Sequence, residues 1–157
     1  MNNLTKNPRY TASLVKKELL AVQTYSFTFK TSQNIDFIPG QYVWIILPKL
    51  EFKDLDGDRR AMSIVNITGS GNYIQVLTRI SSSGYKRTLD KMKIGEKVKI
   101  EGPFGHSFTA PVDGSMPVVL IAGGVGVAPF VSLALQAKAH QIPHHIEIIT
   151  FNESKKH

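Results

Sequence analysis

Cysteine is missing from this 157-residue chain. That excludes disulfides, thiolate nucleophiles, thiolate-held zinc and cysteinyl iron–sulfur clusters within these residues. It is compatible with a reducing compartment, and the expected location is cytoplasmic. The opening segment, MNNLTKNPRY, lacks the apolar core of a secretory signal. Charge is absent altogether between Gly114 and Ala137, a run long enough to suggest a membrane helix. Gly123, Gly124, Gly126, Pro117 and Pro129 divide that run, however, into a buried strand, a turn and a helix, so no membrane span is expected. Acidic residues are few, 12 against 19 basic, for a net charge of +7. The basic residues fall in short pairs, at Lys16–Lys17, Arg59–Arg60, Lys86–Arg87 and Lys155–Lys156. They are not interleaved with exposed aromatics, which sets nucleic acid aside as a partner. His140, His144 and His145 lie close together, but no cysteine or carboxylate joins them at ligand spacing, so no metal is expected.

What is present reads mainly as β. Segments 9–17 and 21–30 form two strands, the second with Tyr25, Phe27 and Phe29 alternating against Thr24, Ser26 and Thr28. A Pro39–Gly40 turn leads into a third strand through Ile46. Residues 51–59, EFKDLDGDR, are polar and read as a loop. Further strands are expected at 61–67, 73–80 and 97–101, with a short helix from Tyr85 to Lys91. Short strands separated by turn signals predict a small antiparallel barrel. Past Pro111–Gly114 the character changes. MPVVLIAGG is a continuous apolar run of the parallel-strand type, and Pro129 suits a helix start. Phe130, Leu133, Ala134 and Ala137 repeat on one helical face, Ile142–Pro143 ends the helix, and 145–151 reads as a second strand. The fold class is therefore mainly β: a six-stranded antiparallel Greek-key barrel over 1–112, then a partial parallel α/β unit over 113–157.

Chemistry is suggested first by Gly123-Gly124-Val125-Gly126-Val127-Ala128-Pro129. Glycines let backbone amides approach a pyrophosphate, and a helix N-terminus favours its charge. Such a turn also serves plain strand–helix packing. Two other stretches, Arg60-Ala61-Met62-Ser63 and Glu101-Gly102-Pro103-Phe104-Gly105, join it and the PGQYV segment in one order along the chain.

In that order and spacing the chain resembles the ferredoxin–NADP⁺ reductase superfamily. The resemblance implies an FAD-binding barrel followed by the opening of an NAD(P)-binding domain. Arg60 would pair with the FAD pyrophosphate and Ser63 would offer its hydroxyl near flavin N5, as the catalytic residue. Met62 stands where the family has an aromatic against the isoalloxazine. Lys86 stands where it often has a serine or threonine, so that Tyr85, Lys86 and Arg87 become the helix-start candidates for the phosphates. Gly123, Gly124, Val125, Gly126 and Pro129 would receive NADH or NADPH. Arg60, as an ordinary surface residue, would instead pair with Asp56 or Asp58. The implied activity is transfer of electrons from NAD(P)H through flavin to a redox partner protein or small acceptor. Family features that lie beyond the nicotinamide loop are not found here. The alternatives are thus a flavin-binding electron-transfer module, or a fragment without its own nicotinamide activity that self-associates through an incomplete sheet edge.

Overall fold

The computed structural model describes residues 8–67, 69–105, 117–141 and 145–151. Six strands make the larger sheet: β1 (Arg9–Ala21), β2 (Thr24–Thr31), β3 (Tyr42–Ile46), β4 (Arg59–Ser63), β5 (Tyr73–Arg79) and β6 (Lys97–Phe104). All pairings are antiparallel, in the order β4-β3-β6-β1-β2-β5. The two ends of that order then meet. Ile64 bridges Val76, and the Val65 amide donates to the Gln75 carbonyl at 2.9 Å. The sheet is closed into a barrel, which removes exposed strand edges.

Period-two burial fills the interior. Leu14, Phe27, Phe29, Val43, Ile45, Ile64, Ile74, Val76 and Ile100 are all fully buried. Each such side chain contributes on the order of 1.5–3 kcal/mol when taken out of water. Helix α1 (Gly84–Lys91) connects β5 to β6 and adds Tyr85 and Leu89 to the same core. The Tyr85 hydroxyl, buried with its ring, donates to the Ile45 carbonyl at 2.9 Å.

The remaining elements are β7 (Val118–Gly123), a 3₁₀ turn (Gly124–Val127), α2 (Ala128–Ala139) and β8 (Ile146–Phe151). β7 and β8 pair in parallel, Val118 opposite Ile146 through Gly123 opposite Phe151. Leu120 and Ala122 face α2 and pack with Phe130. The opposite face, with Val119, Ile121 and Phe151, is exposed. No described helix is long and apolar enough to cross a membrane.

Several boundaries differ from expectation. β1 continues to Ala21 because it pairs with β2 to the end of the hairpin, although residues 19–21 are exposed. β4 starts at Arg59 and ends at Ser63, since pairing with β3 runs from Arg59–Ile46 to Ser63–Tyr42. On α2, Ser132 is fully buried where the apolar pattern had pointed to Leu133 and Ala134, both half-buried. Ser132 Oγ accepts from the Gly40 amide at 3.0 Å and donates to the Pro129 carbonyl. α2 ends at Ala139, with His140 as its cap, ahead of the stop expected at Ile142–Pro143, which lies outside the described residues.

Gln41 explains why the PGQ and GPFG segments belong together. Its side chain is nearly buried and accepts from the Ile38 amide at 2.9 Å while donating to the Gly105 carbonyl at 3.0 Å. Tyr42 stacks on Phe104 beside this bridge, ring centroids 5.6 Å apart. Replacing Gln41 by Leu strands both backbone groups, so stability should fall by about 1–3 kcal/mol. Urea unfolding of the Gln41→Leu protein measures this.

Candidate functional site

Arg60 enters β4 directly from the 51–59 loop, and its guanidinium turns back into that loop. Nη1 donates to the carbonyls of Asp56, Gly57 and Arg59 at 3.2, 3.1 and 2.8 Å. Nη2 donates to Asp54 Oδ1 at 2.5 Å and, more distantly, to Asp56 Oδ2 at 3.4 Å. The guanidinium lies over the Tyr85 ring, 5.0 Å from its centroid. The pairing expected with Asp56 or Asp58 is therefore mainly with Asp54, and it is not a surface pair: the Asp54 side chain is 3% exposed and that of Arg60 19%.

Asp54 also reaches α1. Its Oδ2 accepts the Tyr85 amide at 2.6 Å, and its Oδ1 accepts the Asp56 amide at 2.9 Å. Helix α1 has no acidic residue in its first turn, and Ser83 caps it by accepting from the Lys86 amide. Asp54 thus supplies from a distant loop the negative charge that a helix N-terminus favours. The Tyr85 amide, with the guanidinium of Arg60, holds the Asp54 carboxyl below its usual value against the opposing effect of burial. Nothing in the expected site included Asp54. A signal existed in D-L-D-G: Asp54 opens a turn closed by Gly57, whose φ of +79° suits glycine.

The three consecutive residues 85–87 point to different places, as about 100° per residue requires. Tyr85 faces the core. Lys86 is half-buried and its Nζ bonds Thr78 Oγ1 on β5. Arg87 is exposed and stacks on Phe52, 3.7 Å from the ring centroid. So Lys86 and the Tyr85 amide share a neighbourhood with Arg60, whereas Arg87 holds the loop. On β4, Ala61 is exposed, Ser63 half-buried, and Met62 lies in the barrel core at 5% exposure. The glycine turn is separate in sequence but approaches β5. A Cβ added at Gly123, Gly124 or Gly126 would meet nothing within 4 Å, so backbone is open to approach from outside. Among the described residues no cluster of His, Asp or Glu is arranged for a metal.

Burial, with the charge of Arg60, lowers Lys86 from 10.5 to about 8. Between these values the unfolded chain binds the proton and the folded chain does not, so stability rises with pH across the window. Tyr85, pushed upward by burial, opposes this above pH 10, where an unfolded tyrosine ionises. Unfolding free energy should therefore increase from about pH 8 to 10, and Lys86→Met should flatten the increase. Denaturant titrations across that range test both.

The sequence matches the model of the oxidoreductase FAD-binding domain over residues 11–108. It is 29% identical over 133 residues to the ferredoxin–NAD(+) reductase component of an alkene monooxygenase system from Xanthobacter autotrophicus, covering 83% of this chain and 38% of that protein. It is 36% identical over 114 residues to the electron transfer subunit of dihydroorotate dehydrogenase B (NAD(+)) from Bacillus mycoides, covering 68% of this chain and 40% of that one. The fold is shared with the ferredoxin reductase in carbazole 1,9a-dioxygenase, with a TM-score of 0.82 at 21% identity over 95% of this chain and 43% of that one. The chain thus spans about two-fifths of the length of these relatives. With a closed barrel, the ordered motifs and a family match across most of the barrel, the chain belongs to the oxidoreductase FAD-binding domain family.

Proposed function

We propose that this chain is the flavin-holding part of an FAD-dependent oxidoreductase of the ferredoxin reductase type, passing electrons between NADH or NADPH and an acceptor. One observation carries the reading: Arg60 and the Tyr85 amide at the start of α1 converge on one anion position, with the Asp54 carboxylate as a stand-in for the anion and the Lys86 ammonium close enough to feel the charge of Arg60. A planar guanidinium, an ammonium and helix amides are a donor set that fits a dinucleotide pyrophosphate. In this reading Arg60 and Lys86 hold the phosphates and the Tyr85 amide orients them. Ala61 and Ser63 lie on the outer face of β4 toward the ring, Ser63 presenting its hydroxyl to the flavin, and Met62 backs them from the barrel core. Arg87, which stacks on Phe52 of the loop, adds its positive charge on the phosphate side of α1. Gly123, Gly124, Val125 and Gly126 leave backbone open to the nicotinamide nucleotide, and Pro129 sets the start of α2 behind them. When bound, FAD supplies the redox chemistry, accepting an electron pair and releasing electrons singly.

The same proposal divides the chain into a flavin unit, 1–112, and the beginning of a nicotinamide-nucleotide unit, 113–157. It places the protein in the cytoplasm, with a redox partner protein or small molecule as acceptor. The uncovered apolar face of β7 and β8 favours a second reading, a flavin-binding electron-transfer module that works with another protein surface or a second copy against that face. In sedimentation over a concentration series, a rising mass supports self-association there, and a constant monomer mass removes it.

Two measurements test the flavin assignment. Anaerobic addition of NADH or NADPH to the FAD-reconstituted protein should bleach the visible flavin band within seconds. Persistence of the band until dithionite is added would show that the nicotinamide half of the reaction needs another component. Arg60→Ala should weaken FAD at least about tenfold more than FMN, because FMN lacks the pyrophosphate that a charge-assisted guanidinium bond would hold. Equal losses would contradict the role given to Arg60.

A further inference from the structure

We propose that residues 51–57 form an internal competitor for the cofactor, with the Asp54 carboxylate holding the position that a cofactor phosphate must take. This rests on the flavin reading above and adds to it a segment that must leave before the dinucleotide is fully seated. The acceptors that engage the Arg60 guanidinium belong to residues 54–59. The Tyr85 amide is bonded to Asp54, and the Lys86 amide to Ser83 Oγ. A carboxylate and a phosphate seek the same donors, and two anions on one set repel each other. Both cannot occupy it.

The loop is laid along α1 as a strap. The Glu51 amide donates to Thr88 Oγ1 at 3.1 Å, and Phe52 lies beneath both Arg87 and Lys91. At the helix start the fit is tightest: a Cβ at Gly84 would come within 2.3 Å of the Lys53 carbonyl oxygen and 2.5 Å of that of Phe52. The strap nevertheless puts little into the core. Leu55 at its tip is 95% exposed, the Asp56 side chain is 84% exposed, and the Glu51–Lys91 ion pair is half in water on both sides. A segment with few buried apolar contacts opens at low cost. Once out, an ionised Asp54 is hydrated by water in place of the Tyr85 amide and the Arg60 guanidinium.

The test combines FAD affinity with hydrogen exchange on the full chain. Asp54→Asn keeps the side-chain shape and removes the charge. It should bind FAD about tenfold more tightly than the wild-type chain, the equivalent of one charge-assisted hydrogen bond no longer competing. Phe52→Ala loosens the strap at a position remote from the phosphates and should tighten FAD in the same direction, which keeps the test open should the Asn variant fold poorly. In the wild-type chain, FAD should speed exchange over 51–57 while slowing the amides of Tyr85 and Lys86. If FAD binds but both variants bind it equally or more weakly, with 51–57 unchanged or slower in exchange, Asp54 is a fixed cap and the competitor is overturned while the flavin reading stands. If no variant takes up FAD, the flavin reading fails and the competitor falls with it.

Discussion

The Asp54 carboxylate is where the local structure of the site is decided. It joins three parts far apart in sequence: the 51–59 loop, the first residue pair of β4 and the start of α1. Without it, the guanidinium of Arg60 would sit over the Tyr85 ring with carbonyl acceptors and the distant, exposed Asp56 carboxylate, and the α1 N-terminus would lack an acidic partner. The arrangement has consequences beyond the pair itself. Tyr85, whose amide Asp54 holds, reaches through the core with its hydroxyl to Ile45 on β3. The same carboxylate therefore bears on how α1 is seated across the barrel, and hence on where Lys86 meets β5.

Barrel closure is the second constraint. Arg60 is followed on β4 by Met62 and, just past the strand end, by Ile64, whose bridge to Val76 joins the two ends of the sheet. β5 in turn carries Thr78 beneath Lys86. A guanidinium on one end strand and an ammonium held against the other become neighbours because the ends meet. An open sheet of the same six strands would place them on opposite margins.

How much of this is legible in the sequence follows from the kind of interaction involved. The barrel strands are legible where side chains alternate strongly, as at Phe27 and Phe29, because burial on one face imposes a period of two. The α1 and α2 helices and the parallel pair β7–β8 are legible for similar reasons of pattern and punctuation. Strand ends are not: residues 19–21 extend β1 through backbone pairing alone, which leaves no mark in exposed side chains. Ser132 reads as a gap in an apolar stripe, yet it is buried because the Gly40 amide needs an acceptor. Asp54 is the largest omission. Its partners are six and thirty-one residues away, spacings that no helical or strand period produces, and only the turn signature around Gly57 hints that its side chain is oriented.

The glycine turn after β7 carries a different lesson. Tight packing accounts for Gly84, where added atoms would run into backbone, but at Gly123 and Gly126 the space around the missing side chain is open and neither residue has a left-handed φ. Among the described residues, packing makes no demand for glycine at those two places. The chain bears the extra backbone entropy of glycine there with no return in packing among the described residues. Folding and ligand approach are thereby uncoupled: a methyl group at either position leaves the protein intact, so whatever it disturbs belongs to what comes to the turn from outside.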